Sequence, residues 1–169
     1  MVRIQNNNQN SEIAKYLTFE LKDEHYGLEI IKVIEIVGLQ EITSIPQTPD
    51  FVKGIINLRG DIHPVIDLRQ KFNMGVTEKT EETCIIIVTL EKAGEKKNFG
   101  LIVDRVSEVM DIAADEIDDS PSIGGAVNTD FILGIAKKES KVIILLNIDA
   151  ILSSKEMVQI SEVAETNKE

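Results

Sequence analysis

The chain has 169 residues and a net charge of −11, with 29 acidic against 18 basic side chains. So acidic a balance lacks the cationic footprint that nucleic-acid phosphates or an anionic membrane surface require, and argues against both as partners. With no Trp and 4% aromatic residues the core must be built from Ile, Val and Leu, and the single cysteine, Cys84, excludes an internal disulfide.

The elements follow in chain order. Residues 1–13, which include the run Gln5 to Asn10, are too polar to bury anything and are expected to be a disordered tail. Order is expected from Ala14. Tyr16 to Lys22 and Tyr26 to Ile30 flank a turn at Asp23-Glu24 and predict a hairpin. Thr48-Pro49-Asp50-Phe51 predicts a helical turn with Thr48 as its cap and Gly54 as its end. Strands are predicted at Gly54 to Leu58, Ile62 to Leu68, Cys84 to Leu90, Phe99 to Val103 and Lys141 to Ile148. Pro64, without an N–H, makes the second of these an edge strand or marks a bulge. Asp67 is positioned to cap a short helix in which Leu68 and Phe72 share a face. A longer helix is predicted from Asp149 through Ile151, Leu152 and Val158, toward Val163. The end of that helix and a frayed tail are expected over 156–169. No apolar signal core opens the chain, and the longest apolar runs, such as Val142 to Leu146, hold five residues. A cytoplasmic protein with no membrane-inserted segment is expected.

An internal duplication runs through this pattern. Tyr26-Gly27-Leu28 returns 73 residues later as Phe99-Gly100-Leu101, with Lys32-Val33 and Glu35-Ile36 matched by Arg105-Val106 and Glu108-Val109. Asp50-Phe51 and Gly54-Ile55 return 80 residues later as Asp130-Phe131 and Gly134-Ile135, and Asp67-Leu68 as Asn147-Ile148. Thr48 and Asn128 correspond as caps. The change of shift places extra residues within Asp111 to Asn128. Two copies in one order imply two similar β units of about five strands, each closing into a small barrel-like lobe to hide its edges.

Chemistry is scarce. No phosphate loop, dinucleotide fingerprint or nucleophile elbow occurs, so no cofactor and no catalysis are expected. Asp61, His63 and Asp67 fall on one face of a strand and are the one candidate metal set, weighed against an exposed polar face. His25 reads as a solvated turn residue. Asp115-Glu116-Ile117-Asp118-Asp119 lacks the spacing of a calcium loop and reads as a linker. What remains is binding between two β lobes.

Gly54-Ile55-Ile56-Asn57-Leu58-Arg59-Gly60 with Pro64-Val65-Ile66-Asp67-Leu68-Arg69, then Phe99-Gly100-Leu101-Ile102-Val103-Asp104-Arg105-Val106, then Gly134-Ile135 with Leu145-Leu146-Asn147-Ile148, resemble in order the motifs of the CheW-like domain family. The resemblance spans 14–155. It implies a mainly β fold of two five-stranded β-barrel-like lobes, SH3-like, around a central core, with few short helices and a C-terminal helix. It implies a non-catalytic adaptor in bacterial chemotaxis whose partners are the regulatory domain of the histidine kinase CheA and the cytoplasmic tip of methyl-accepting chemoreceptors. Glu35 and Arg59 are the charged candidates for the receptor site, with Val33, Ile36, Val88 and Val103 lining it. Ile42, Ile45 and Pro46 are the candidates for the kinase face. A scaffold of the same type in another chemosensory or motility pathway is the alternative, and a metal-dependent hydrolase using Asp61, His63 and Asp67 a remote one.

Overall fold

The computed structural model describes residues 12–92, 94–118, 130–153, 155–157 and 159–160. The expected disordered tail up to residue 11, the cap Asn128, Val158, Val163 and the frayed C-terminus lie outside them. Strand β1 (Ile13–Leu21) turns through Lys22 and Asp23, both at positive φ, into β2 (Glu24–Glu29). A 3-10 turn at Ile30–Lys32 leads to β3 (Val33–Gly38). Then come β4 (Val52–Leu58), β5 (Asp61–Asp67), the single-turn helix α1 (Leu68–Lys71), β6 (Cys84–Lys92), β7 (Glu95–Val103) and β8 (Arg105–Ala113). The short β9 (Ile117–Asp118), β10 (Ile132–Lys138) and β11 (Lys141–Leu146) complete the strands.

These strands make two sheets, in the orders β8-β1-β2-β11-β10-β9 and β3-β6-β7-β5-β4. Each curls so that its ends meet. In the first, β9 leaves β8 through a 3-10 turn and pairs with β10 at the far end. In the second, Thr43, just beyond β3, exchanges both backbone hydrogen bonds with Ile55 of β4, each 2.9 Å. The duplication appears in the hydrogen bonding. Gly27 pairs with Leu145 as Gly100 pairs with Val65. The bulge between Val52 and Gly54 recurs between Ile132 and Gly134. Asp67 N–H donates to Phe51 O at 2.8 Å, and Asn147 N–H donates to Phe131 O at 2.7 Å.

The lobes are not, however, one repeat each. The hairpin β1–β2 of the first copy sits among β8, β9, β10 and β11 of the second, while β6–β7 of the second copy sits among β3, β4 and β5 of the first. The two copies exchange their leading hairpins.

Three apolar clusters follow from this layout. Tyr16, Met110, Ile112, Ala136, Ile143 and Leu145 fill the six-stranded lobe. Ile56, Leu58, Val65, Ile85, Ile87 and Ile102 fill the five-stranded one. A common core between them takes Leu17, Phe19, Leu28, Ile66, Val88, Phe99 and Leu101, with Ile148, Ile151, Leu152 and Ile160 from the C-terminal segment. Every central strand thus has two buried faces, which is why β6 is apolar at successive positions.

Several local expectations change. Residues around Thr48 form turns rather than a capped helical turn. The Thr48 hydroxyl donates to Ile45 O at 2.9 Å, and Gly54 lies inside β4. Pro64 is in an interior strand, since β5 lies between β7 and β4; its missing N–H is tolerated because pairing with β7 begins only at Val65. The C-terminal segment is a 3-10 turn, Ile148–Ala150, followed by bends, with helix at 155–157 and 159–160 rather than one helix from Asp149.

Asp67 does cap α1, accepting from the backbone of Arg69 and Gln70. It also accepts from Thr77 N–H at 2.9 Å and from the Thr77 hydroxyl at 2.5 Å, so one buried carboxylate holds both the helix start and the connector between the repeats. Replacing Asp67 with Ala strands those donors in a buried site and is expected to cost about 2–3 kcal/mol, read by urea denaturation. Asp67→Asn, which keeps an acceptor, is expected to cost about half of that.

Candidate functional site

Exposed aliphatic side chains gather at and just before β3, an end strand of the five-stranded sheet. A register shift between Val33 and Glu35 makes Ile34 a bulged residue. Ile31, Ile34 and Ile36 are exposed by 83%, 49% and 44%. Three isoleucines this exposed fall within six residues, Ile31 in the 3-10 turn and Ile34 and Ile36 on β3, a closer grouping than scattered surface hydrophobics.

Beside them stands a charged pair. Arg59 is the first central residue of the two-residue turn between β4 and β5, with φ of 52°, followed by Gly60 at 94°. Both positive values identify a turn whose twist matches the flanking strands. Asn57 holds it by accepting Gly60 N–H at 2.8 Å on its side-chain oxygen. The Arg59 guanidinium donates to a Glu35 carboxylate oxygen. The pair therefore ties the two ends of the sheet, β3 and the β4–β5 turn, across the lobe. Arg59 is 71% exposed, so the pair contributes about 0–1 kcal/mol to stability and leaves donors free for a partner.

The remaining candidates divide. Ile36 is exposed but points to the strand face opposite Glu35, and Val33 is half-buried, packed on the common core. Val88 and Val103 are fully buried in that core and present no surface, a correction to their placement as groove-lining groups. The reason is the second buried face of β6 and β7, which an alternation pattern cannot distinguish from a docking face. Ile42 is half-buried against the core of the five-stranded lobe, while Ile45 is half-buried and Pro46 exposed on the same loop.

Asp61 and Asp67 stand at opposite ends of the seven-residue β5, about 20 Å apart at strand rise. No single ion can join them, and Asp67 is already occupied by the cap and Thr77. Among the described residues no cluster of His, Cys, Asp and Glu has metal-holding geometry. Cys84 is half-buried, and burial pushes its thiol up from the ordinary value, which keeps it a poor nucleophile.

Sequence reasoning passed over two features. The exposed Ile31 and Ile34 looked like ordinary aliphatic residues of a β-rich segment. The second feature is a half-sequestered ion pair, in which Arg69 of α1 donates through Nε to Asp104 at 3.0 Å. Side-chain exposures are only 14% and 18%, and the hydrogen bonds to Asp104 hold the Arg69 guanidinium above its usual pKa. Asp104 also accepts Lys22 N–H at 2.7 Å. Arg69 and Asp104 each stood in a quoted motif, but nothing in either motif joined them.

The chain is similar to known proteins. Residues 15–156 match the CheW-like domain. The chain is 37% identical over 153 residues to the chemotaxis protein CheW of Klebsiella aerogenes, covering 90% of each. It is 31% identical to that of Treponema pallidum, covering 90% of this chain and 89% of the other. The crystal structure of the scaffolding protein TtCheW from Thermoanaerobacter tengcongensis superposes with a TM-score of 0.73 at 42% identity, over 85% of this chain and 90% of that one. The chain belongs to the CheW-like domain family, and its role is that of a chemotaxis adaptor.

Proposed function

We propose that this chain is a non-catalytic adaptor that joins the cytoplasmic tip of methyl-accepting chemoreceptors to the regulatory domain of the histidine kinase CheA, working in the cytoplasm within receptor arrays. The observation that carries the receptor half is the exposed isoleucine edge of β3 beside the Glu35–Arg59 pair. An apolar strip flanked by a part-free guanidinium suits a helical hairpin that offers aliphatic side chains and a carboxylate. Glu35, Arg59, Val33 and Ile36 form this receptor face, with Val88 and Val103 supporting it from the core. Ile42, Ile45 and Pro46 form the kinase face on the loop between β3 and β4. Neither face holds a nucleophile, a metal cluster or a proton relay among the described residues, and the function needs none. Coupling arises because each partner favours contacts available in only one state of the assembly.

The test is a titration of the parent and Arg59→Glu against a receptor tip and, separately, a CheA regulatory domain. Arg59→Glu is expected to lose receptor affinity at least tenfold, about 1.4 kcal/mol. It should bind the kinase domain normally and melt within a few degrees of the parent, since the lost ion pair is exposed. Receptor binding equal to the parent's removes Arg59 from the site. A parent that binds neither partner moves the chain to a different signalling system.

A further inference from the structure

Among the described residues, successive strands pass from one sheet to the other at two places. The turn Ile30–Lys32 leads from β2 of the six-stranded sheet to β3 of the five-stranded one, and Asp104 alone joins β7 of the five-stranded sheet to β8 of the six-stranded one. A change in the angle between the lobes must bend the backbone at these two crossings. The common core does not by itself fix that angle, because apolar contact is non-directional and packed faces can slide.

Each crossing carries a carboxylate clasp. Asp104 accepts Arg69 Nε–H on its two oxygens, at 3.0 and 3.1 Å, and its Oδ2 accepts Lys22 N–H at 2.7 Å. Arg69 follows β5, so this ion pair lies at the shared end of the parallel strands β5 and β7. Lys22 belongs to the β1–β2 turn of the other sheet. At the second crossing Lys32 Nζ donates to Asp149 Oδ2 at 2.7 Å, and Asp149 Oδ1 accepts Glu91 N–H at 2.8 Å. Asp149 follows β11, so this ion pair lies at the shared end of the parallel strands β2 and β11. Glu91 belongs to β6, again of the other sheet. No side chain in either pair is more than 31% exposed, so salt screens them less than surface pairs.

The duplication does not account for the likeness. At its shifts Arg69 corresponds to Asp149, and Asp104 to Ile31, the neighbour of Lys32. The cation of one clasp stands where the carboxylate of the other stands, so neither pair is a copy of its counterpart. Both crossings reach one arrangement with the charges reversed, which marks the arrangement rather than the residues as what the molecule keeps.

We propose that Asp104 and Asp149 are positioning residues whose clasps hold the two crossings and fix the angle between the lobes, so that a shift imposed on one lobe is carried to the other. The use of that angle between receptor and kinase rests on the adaptor reading above; the clasps themselves do not.

The experiment measures residual dipolar couplings of the backbone amides of the full chain in a weakly aligning medium. The parent is expected to fit one alignment tensor over both sheets. The Asp104→Ala, Asp149→Ala double variant is expected to need two, with the order of one sheet reduced relative to the other. Lys15→Ala, which breaks an exposed ion pair inside the six-stranded sheet, is expected to keep one. Should the alanine chain fail to fold, the Asp104→Asn, Asp149→Asn variant, which keeps an acceptor for the Lys22 and Glu91 N–H groups and loses the ion pairs, carries the test with the same expectation. One tensor in the variant that folds overturns the proposal, whatever its melting temperature. In parallel, receptor, adaptor and kinase are reconstituted together. The variant is expected to bind both partners as the parent does, while receptor control of kinase activity falls at least about twofold. Two tensors with undiminished control overturn the transmission role. A parent that binds neither partner overturns the adaptor reading, and the dipolar couplings still decide the clasps.

Discussion

A chain ended after residue 80 is expected to show no cooperative unfolding transition by circular dichroism, although it keeps a complete first copy of the repeat. The exchange of hairpins is the reason. Within that copy only the hairpins β1–β2 and β4–β5 and the Thr43–Ile55 bridge pair internally. The other sheet neighbours of β1, β2, β3 and β5 are β8, β11, β6 and β7, all from the second copy. The fragment would present open edges on four strands, and an isolated two-stranded hairpin is at best marginally stable. It would also lose Val88, Phe99, Leu101 and Val103 from the common core. Independent lobes of one repeat each would leave a fragment that melts. Adding residues 81–169 as a separate chain restores every pairing, so recovery of a transition on mixing is expected, at a midpoint that depends on concentration.

The duplication was legible because it lies in residue identity. Gly27 and Gly100 both recur because a Cβ at either would press on a facing side chain, Leu145 at 2.9 Å or Ile85 at 2.7 Å. The exchange was not legible, because identity at a fixed shift says which strands are alike and nothing about which are neighbours. The same gap explains Val88 and Val103. A strand apolar on both faces needs cover on both, and the sequence does not say whether a second core or a partner provides it. The strand list drawn from alternation also omits β3, β8, β9 and β10, and β9 falls in the segment read as a linker. On β3 the outward positions Ile34 and Ile36 are apolar, so the polar half of the pattern that identifies a surface strand is missing.

The Glu35–Arg59 pair was legible for a different reason, since each residue stood in a recognisable motif. The repeat adds a further point. Their equivalents at the same shifts are Glu108 and Glu139, two exposed acids. Glu139 sits at φ of 52°, the same turn position and the same value as Arg59. One fold, used twice, thus carries an ion pair on one lobe and like charges on the other. The backbone does not require the pair, which under the proposed function serves the receptor face rather than folding. Arg59→Glu gives the five-stranded lobe the charges of the six-stranded one, which is why its expected effect is on binding and not on the melt.

Gly54→Ala tests how the five-stranded lobe is closed. Gly54 has φ of 142°, and a Cβ there would lie 1.9 Å from the carbonyl oxygen of Thr43 and 2.6 Å from its carbon. Backbone cannot yield as a side chain tip does, so the Thr43–Ile55 bridge with its two hydrogen bonds must open. Left-handed strain in a non-glycine residue costs about 1–3 kcal/mol, and each lost backbone bond about 0.5–1.5 kcal/mol. The expected loss is about 3 kcal/mol or more, a large share of the stability of a single domain. Gly38→Ala is the control: nothing lies within 4 Å of its added Cβ and its φ is not positive, so a change within about 0.5 kcal/mol is expected. Opening the bridge also releases Ile42 and Ser44 on either side of Thr43. A folded Gly54→Ala chain is therefore expected to lose affinity for the kinase domain, whose proposed face includes Ile42, and keep more of its receptor affinity, since the exposed isoleucines lie on the other side of Gly38. Equal loss of both would mean that the two faces are one mechanical unit, joined through the curl of a single sheet.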